Sequence, residues 1–208
     1  FYNYPHPNDN IGDSANPDQQ IVISELIKTN INLLSYRNSI YMQFSKDIEN
    51  ITINAGTRGS YWTYNEELLL SPRFSIAYAP FWQKDVVFRA SSGIYYQSPF
   101  YRELRTPDGT LNNDIKAQKS IHYVIASDYL FYQWGRPFKW ITEIYYKNLK
   151  DLIPYKVENV HIQYLSNQLS NGYATGIDMK INGEFVKGVE SWASLSIMET
   201  KEDIVGDT

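Results

Sequence analysis

The side chains of this chain that could do chemistry are charges placed at alternate positions within otherwise apolar or small-residue stretches. Arg58, Arg73, Arg89, Asp128, Lys139 and Glu143 all have this setting. Lys139 and Glu143 are four residues apart, which on a strand puts them on one face. A cation and a carboxylate so placed can pair. Proton transfer would need a third, orienting group, and the sequence supplies none. The reading is a charge network lining a wet interior. Tyr101, Arg102 and Arg105 fall in a Pro-containing connection and are candidate ligand contacts, because binding residues concentrate on loops held by a rigid scaffold; each taken alone also reads as plain surface.

Other chemistries find no footing. His6, His122 and His161 lie in dissimilar contexts without ligand spacing, and Cys is absent. The run Asp9-Asn10-Ile11-Gly12-Asp13 hints at a calcium loop, but EF-hand spacing would put its first ligand on Pro7. No hydrolase elbow, zincin helix, Walker loop or dinucleotide fingerprint is present. No catalytic residue, metal or cofactor is therefore assigned, and the chain is read as a non-enzyme.

Composition narrows the class. The 208 residues carry a net charge of −4, so no electrostatic case for nucleic acid exists. Aromatics reach 15%, with 18 Tyr and 5 Trp. Such residues suit boundaries where one end is dry and the other wet, a membrane interface among them, and they also suit ordinary strands. No run of 18 apolar residues marks a membrane helix. Barrel strands alternate, so they escape that criterion. Phe1 is not Met, and both ends read as cuts through a longer chain, an internal fragment.

The elements that position the charges are strands. Residues 68–78 put Leu68, Leu70, Pro72, Phe74, Ile76 and Tyr78 on one face, with Leu69, Ser71, Arg73, Ser75 and Ala77 on the other. After a turn at 80–84, Val86, Phe88, Ala90, Ile94 and Tyr96 oppose Asp85, Arg89, Ser91 and Gly93. One face is apolar with aromatic ends, and the other carries charge at mid-strand. Residues 36–46, 51–64, 118–132, 138–147, 173–181 and 189–199 repeat the alternation, giving eight strands. Residues 1–20 read as loop, 21–34 as an ambiguous strand, and 157–164 as an extended strand or a loop hairpin. The connections at 47–50, 80–84, 134–137 and 182–188 are short. Those at 98–115 and 149–172 are long, and 65–67 is the one short member of their set. An up-and-down meander then has short turns on one rim and long loops on the other, the asymmetry of outer-membrane barrels.

The ordered set of segments resembles the late barrel of a TonB-dependent outer-membrane receptor. Ser71-Pro72-Arg73 at a strand start, the Arg-Ala-Ser-x-Gly strand at 89–93 and the loop opening Ser98-Pro99-Phe100 are similar to segments of that family. So are LNNDIKAQKSIHYVIASDYLF, the Glu-x-Tyr-Tyr-Lys strand at 143–147, and NGYATGIDMKINGEFVKGVESWASLSIM with Gly172, Gly176 and Gly183. The resemblance spans residues 36–208 and is nearest to the Bacteroidota variety with a carboxypeptidase-like N-terminal domain. It implies an all-β antiparallel meander of about 8–10 strands within a 22-stranded transmembrane barrel. It also implies outer-membrane lipid around that barrel, a plug inside it, and TonB-powered import of a glycan, siderophore or similar nutrient. On that reading residues 1–35 are mostly external loop and 36–208 are wall and loops of one segment. No plug, TonB box or terminal strand is read here. Arg58, Arg73, Arg89, Asp128, Lys139 and Glu143 would face the lumen and plug. A soluble all-β binding module and a passive porin or adhesin barrel are the competing readings.

Overall fold

The computed structural model describes residues 32–106, 109–158 and 161–206. In chain order the strands are β1 (Arg37–Ile48), β2 (Ile51–Trp62), β3 (Glu67–Tyr78), β4 (Asp85–Gln97), β5 (Gln118–Gln133), β6 (Arg136–Leu152), β7 (Tyr155–Glu158), β8 (His161–Tyr164), β9 (Ser170–Val186) and β10 (Val189–Ile204). The eight long ones form one antiparallel sheet in which each pairs with the next, so the sheet is a meander. Between β6 and β9 the chain makes a separate hairpin of β7 and β8. This settles 157–164 as a loop hairpin. The expected loop at 1–20, its Asp9–Asp13 run and most of the ambiguous 21–34 segment lie outside the described residues.

Period-two patterning fixes the register, since a one-residue slip would exchange the two faces everywhere. Across the ladder Ile53, Ile76, Ala90, Ile125, Ile144, Ile177 and Ile197 stand in one continuous row. That face is apolar yet uncovered: Ile125 is 66% exposed and Ile197 63%. A continuous bare apolar surface of this kind marks a face that meets something other than water. On β5 it runs from Ile121 to Phe131, about 34 Å along the strand at about 3.4 Å per residue. With a barrel-like tilt of about 40° this is about 26 Å of height, against about 25 Å for the apolar band of an outer-membrane barrel. Lys119, opposite Lys150, ends the face at one rim, and Gln133, opposite Arg136, ends it at the other.

Aromatic side chains bracket the isoleucine row. Towards the short turns Phe138 stacks on Phe131 at 5.6 Å and meets Phe185 edge-on at 5.1 Å, with Trp134 at 6.0 Å. Towards the long connections Tyr123 pairs with Tyr146, which stacks on Tyr173 at 6.1 Å. Phe138 fits because its ladder partner is Gly183, where a Cβ would collide with the ring. Gly183→Ala should therefore cost about 1–3 kcal/mol through overpacking, read as a lower temperature for loss of heat-modifiable gel migration in the full-length protein. The same change at Gly188, where a Cβ would meet nothing within 4 Å but φ is +77°, tests the turn alone.

The turns explain the remaining differences from the sequence reading. Residues 134–135 turn the chain with φ of 56° at Trp134 and 69° at Gly135, the paired positive values of a type I′ hairpin. The span 182–188, expected as a turn, is mostly strand: β9 runs to Val186 and only 187–188 turn. Asn182-Gly183 carries a turn signature, but Gly183 is used to admit the Phe138 ring, and Phe185 continues the alternation. Likewise β10 continues to Ile204, beyond the expected end at 199, because its polar tail pairs with the start of β9 by backbone register. Turns 49–50, 79–84, 134–135 and 187–188 share one rim; 63–66, 98–117 and 153–169 share the other. Neither β1 nor β10 has a partner on its outer edge among the described residues. A sheet spanning lipid must close, since unsatisfied backbone groups there cost several kcal/mol each.

Candidate functional site

The register puts all six charged candidates on the face opposite the isoleucine row. They divide into two groups. On the short-turn side, Asp128 joins two strands' cations: Arg89 Nη2 lies 2.5 Å from Asp128 Oδ1, and Lys139 Nζ lies 2.8 Å from Asp128 Oδ2. The carboxylate is well covered (17%), whereas both cations remain open to solvent at 46% and 40%. Glu143 is across the ladder from Ala126 and Asp178. It lines a hollow of about 220 Å³ with Arg89 and Ser91. Asp178 accepts a hydrogen bond from Ser196 Oγ. Charges of both signs thus alternate along β4, β5, β6 and β9, as suits a wet wall contacted by polar groups.

The second group, Arg58 and Arg73, lies towards the long connections and makes no ion pair among the described residues. Arg58 Nη2 donates to Ser39 Oγ at 3.0 Å. The Arg73 guanidinium sits 4.5 Å from the Tyr95 ring centroid. Arg37, above them on β1, donates to the Pro99 carbonyl at 2.9 Å and stacks 4.4 Å from the Trp62 ring.

The long connections are not loose. Trp62, Leu104, Ile115 and Ile153 form a small buried core at the rim, with Leu33, Tyr64, Leu111 and Tyr164 packed around it. Trp62 is 2% exposed and stacks on Tyr64 at 4.9 Å. Polar contacts stitch connection 98–117 to its neighbours. Tyr64 Oη donates to Asn112 O at 2.9 Å, and burial raises the Tyr64 phenol above its ordinary value, so it stays a donor. Asn112 Nδ2 donates to Ser166 O at 2.7 Å, and Ser166 Oγ to Arg105 O at 3.1 Å. Glu67 Oε2 accepts from Ala117 N at 2.9 Å and from Asn65 Nδ2 at 3.2 Å. Within this cap Tyr101 and Arg102 are exposed, while Arg105 is half-buried and bridges Leu111. Of the three loop candidates, Tyr101 and Arg102 are thus open to solvent, and the Arg105 backbone joins Leu111 and accepts from Ser166 Oγ.

Sequence reasoning missed Trp62, Leu104 and Ile115. Trp62 falls inside the expected 51–64 strand, which ends at Trp62 in the structure, and Leu104 and Ile115 sit in a polar connection without a period. Arg37 lies within the expected 36–46 strand, but nothing in its local sequence shows that it reaches the Pro99 carbonyl and the Trp62 ring. Among the described residues no group of three or more His, Asp or Glu is placed to hold a metal ion. His122 instead lies against the Tyr95 ring at 4.4 Å.

Compared with known families, residues 1–206 match the family model described as TonB dependent receptor-like, beta-barrel. No curated protein matches the chain.

Proposed function

Because the chain belongs to the TonB dependent receptor-like β-barrel family, we propose that its bare apolar face meets lipid and its charged face lines the passage by which a nutrient enters the periplasm. The family is one of receptors and transporters of the Gram-negative outer membrane, not of enzymes. The exposed isoleucine row, bracketed by aromatics and backed by Arg89, Asp128 and Lys139, is the observation that carries the orientation.

On this reading a plug domain of the parent protein packs against the alternating charges of the short-turn half, and TonB supplies the energy. The rim cap, with Tyr101 and Arg102 outermost, meets the incoming solute first, which is a glycan, a siderophore or a solute of that kind. The variety that the ordered set of segments resembles most is the Bacteroidota one with a carboxypeptidase-like domain. The competing barrel reading is a passive porin. Planar-bilayer recording of the full-length purified protein separates the two. A plugged receptor gives no steady conductance until denaturant loosens the plug. Stable open channels from the first insertion would exclude it.

A further inference from the structure

The charged face is segregated, and the segregation has a consequence for what the passage admits. In the short-turn half Arg89 and Lys139 have a carboxylate close by. In the half towards the long connections, Arg37, Arg58 and Arg73 descend the same face from the rim on β1, β2 and β3, with the Ser39–Ser60–Leu69 row between the first two. Two adjoining hollows, of about 380 Å³ and 220 Å³, are lined by these guanidiniums with Tyr41, Tyr95 and several serines, and among the described residues neither lining contains an Asp or Glu. The carboxylate in Arg37's own row, Glu67, is occupied by Ala117 N and Asn65.

The hollow is also built rather than incidental. Arg73 is flanked in the ladder by Gly56 and Gly93. A Cβ at Gly93 would lie 3.1 Å from Arg73 Cγ and 3.0 Å from Tyr95 Cε2, so the missing side chain lets the guanidinium lie on the Tyr95 ring. Arg58 is anchored through Ser39, which itself lies 3.3 Å from Ser60 Oγ. Each guanidinium is thus positioned by a neutral partner, and among the described residues no carboxylate neutralises its charge. Planar guanidinium donors beside hydroxyls match carboxylate oxygens, which take such donors in bidentate pairs.

We propose that Arg58 and Arg73, with Arg37 above them, form a binding site for a carboxylate-bearing group of the imported solute. This rests on the transporter reading above and adds the chemical class of the solute. The carboxylates come from the solute and not from the plug, because the cluster lies in the half of the wall nearest the rim cap, where an entering solute arrives.

The test titrates citrate, as a compact tricarboxylate probe, into the full-length receptor purified in detergent. Saturable binding is expected, weakening as salt screens the charges. Arg58→Gln/Arg73→Gln should weaken it about a hundredfold, about tenfold for each charge-assisted hydrogen bond to the carboxylate that the change removes. Arg58→Lys/Arg73→Lys should recover part of that affinity, since charge is kept and the bidentate fork is not. Lys119→Gln/Lys150→Gln removes the same charge from the opposite face and should change nothing. Absence of saturable binding by the unaltered receptor, or equal affinity in the Arg58/Arg73 double variant, overturns the proposal. So does binding that emerges only after plug deletion, which would assign the site to plug carboxylates. Bilayer conductance reads the transporter function separately, so a failure of either is identifiable.

Discussion

Ile144→Arg should prevent the parent protein from assembling in the outer membrane, whereas Arg89→Ala should leave assembly nearly intact. Ile144 is 51% exposed and stands between Ile125 and Ile177 in the row that crosses the sheet. On this account that exposure is to hydrocarbon. A guanidinium on the lipid face near mid-depth costs about 2–4 kcal/mol, and among the described residues no carboxylate shares its row to offset this. Arg89 is the contrasting case. It faces the wet side, its side chain is 46% exposed, and its partner Asp128 keeps Lys139 at 2.8 Å when the guanidinium is removed. Loss of so solvated a pair amounts to about 1 kcal/mol or less. Outer-membrane fractionation and heat-modifiable migration of the two variants read the difference. Equal effects would mean that the faces are exchanged.

Trp62→Ala should unseat the rim cap and spare the wall beneath it. Removing a buried Trp typically costs about 3–5 kcal/mol. Here the loss falls on the small core that joins Leu104 and Ile115 of one long connection to Ile153 of the other. Its indole also donates to Ser35 Oγ at 3.2 Å and carries the Arg37 guanidinium. Of the core residues only Trp62 belongs to the long strand ladders, and it stands at the last rung of β2. The expected result is rapid protease cleavage within residues 98–117 on intact cells, with heat-modifiable migration retained. Slow cleavage, as in the unaltered protein, would mean that the polar contacts of Asn112, Ser166 and Glu67 hold the cap without the indole.

The sheet was legible in the sequence because alternation is a local property. Leu68 to Tyr78 and Phe138 to Tyr146 declare their faces from residue types alone, and the register preserves every such assignment. The alternating lengths of the connections likewise declared two unlike rims. What could not be read was long-range. Trp62, Leu104, Ile115 and Ile153 are far apart in sequence and meet only because the meander stacks their connections on one rim. The Asn182-Gly183 pair misled for a related reason. Glycine serves turns and close packing alike, and only the position of the Phe138 ring tells which use applies. The charges split similarly: each was assignable to a face, but the Asp128 bridge and the neutral partners that surround Arg73 among the described residues depend on neighbours on other strands.

The most direct measurement of the central claim is the solvent exposed to each face of β5 and β6. This stretch contains no cysteine, so single cysteines can be introduced and spin-labelled in turn at Tyr123, Ile125, Ser127 and Ile144, and at Val124, Ala126, Glu143 and Tyr145. In the full-length receptor in bilayers, labels of the first set should be relaxed by oxygen, which concentrates in hydrocarbon. Labels of the second set should be relaxed by a water-soluble nickel chelate or be shielded from both. A strict alternation of oxygen accessibility with period two is the expected result. Equal access of the chelate to Ile125 and Ile144 would place the isoleucine row in water and contradict the account.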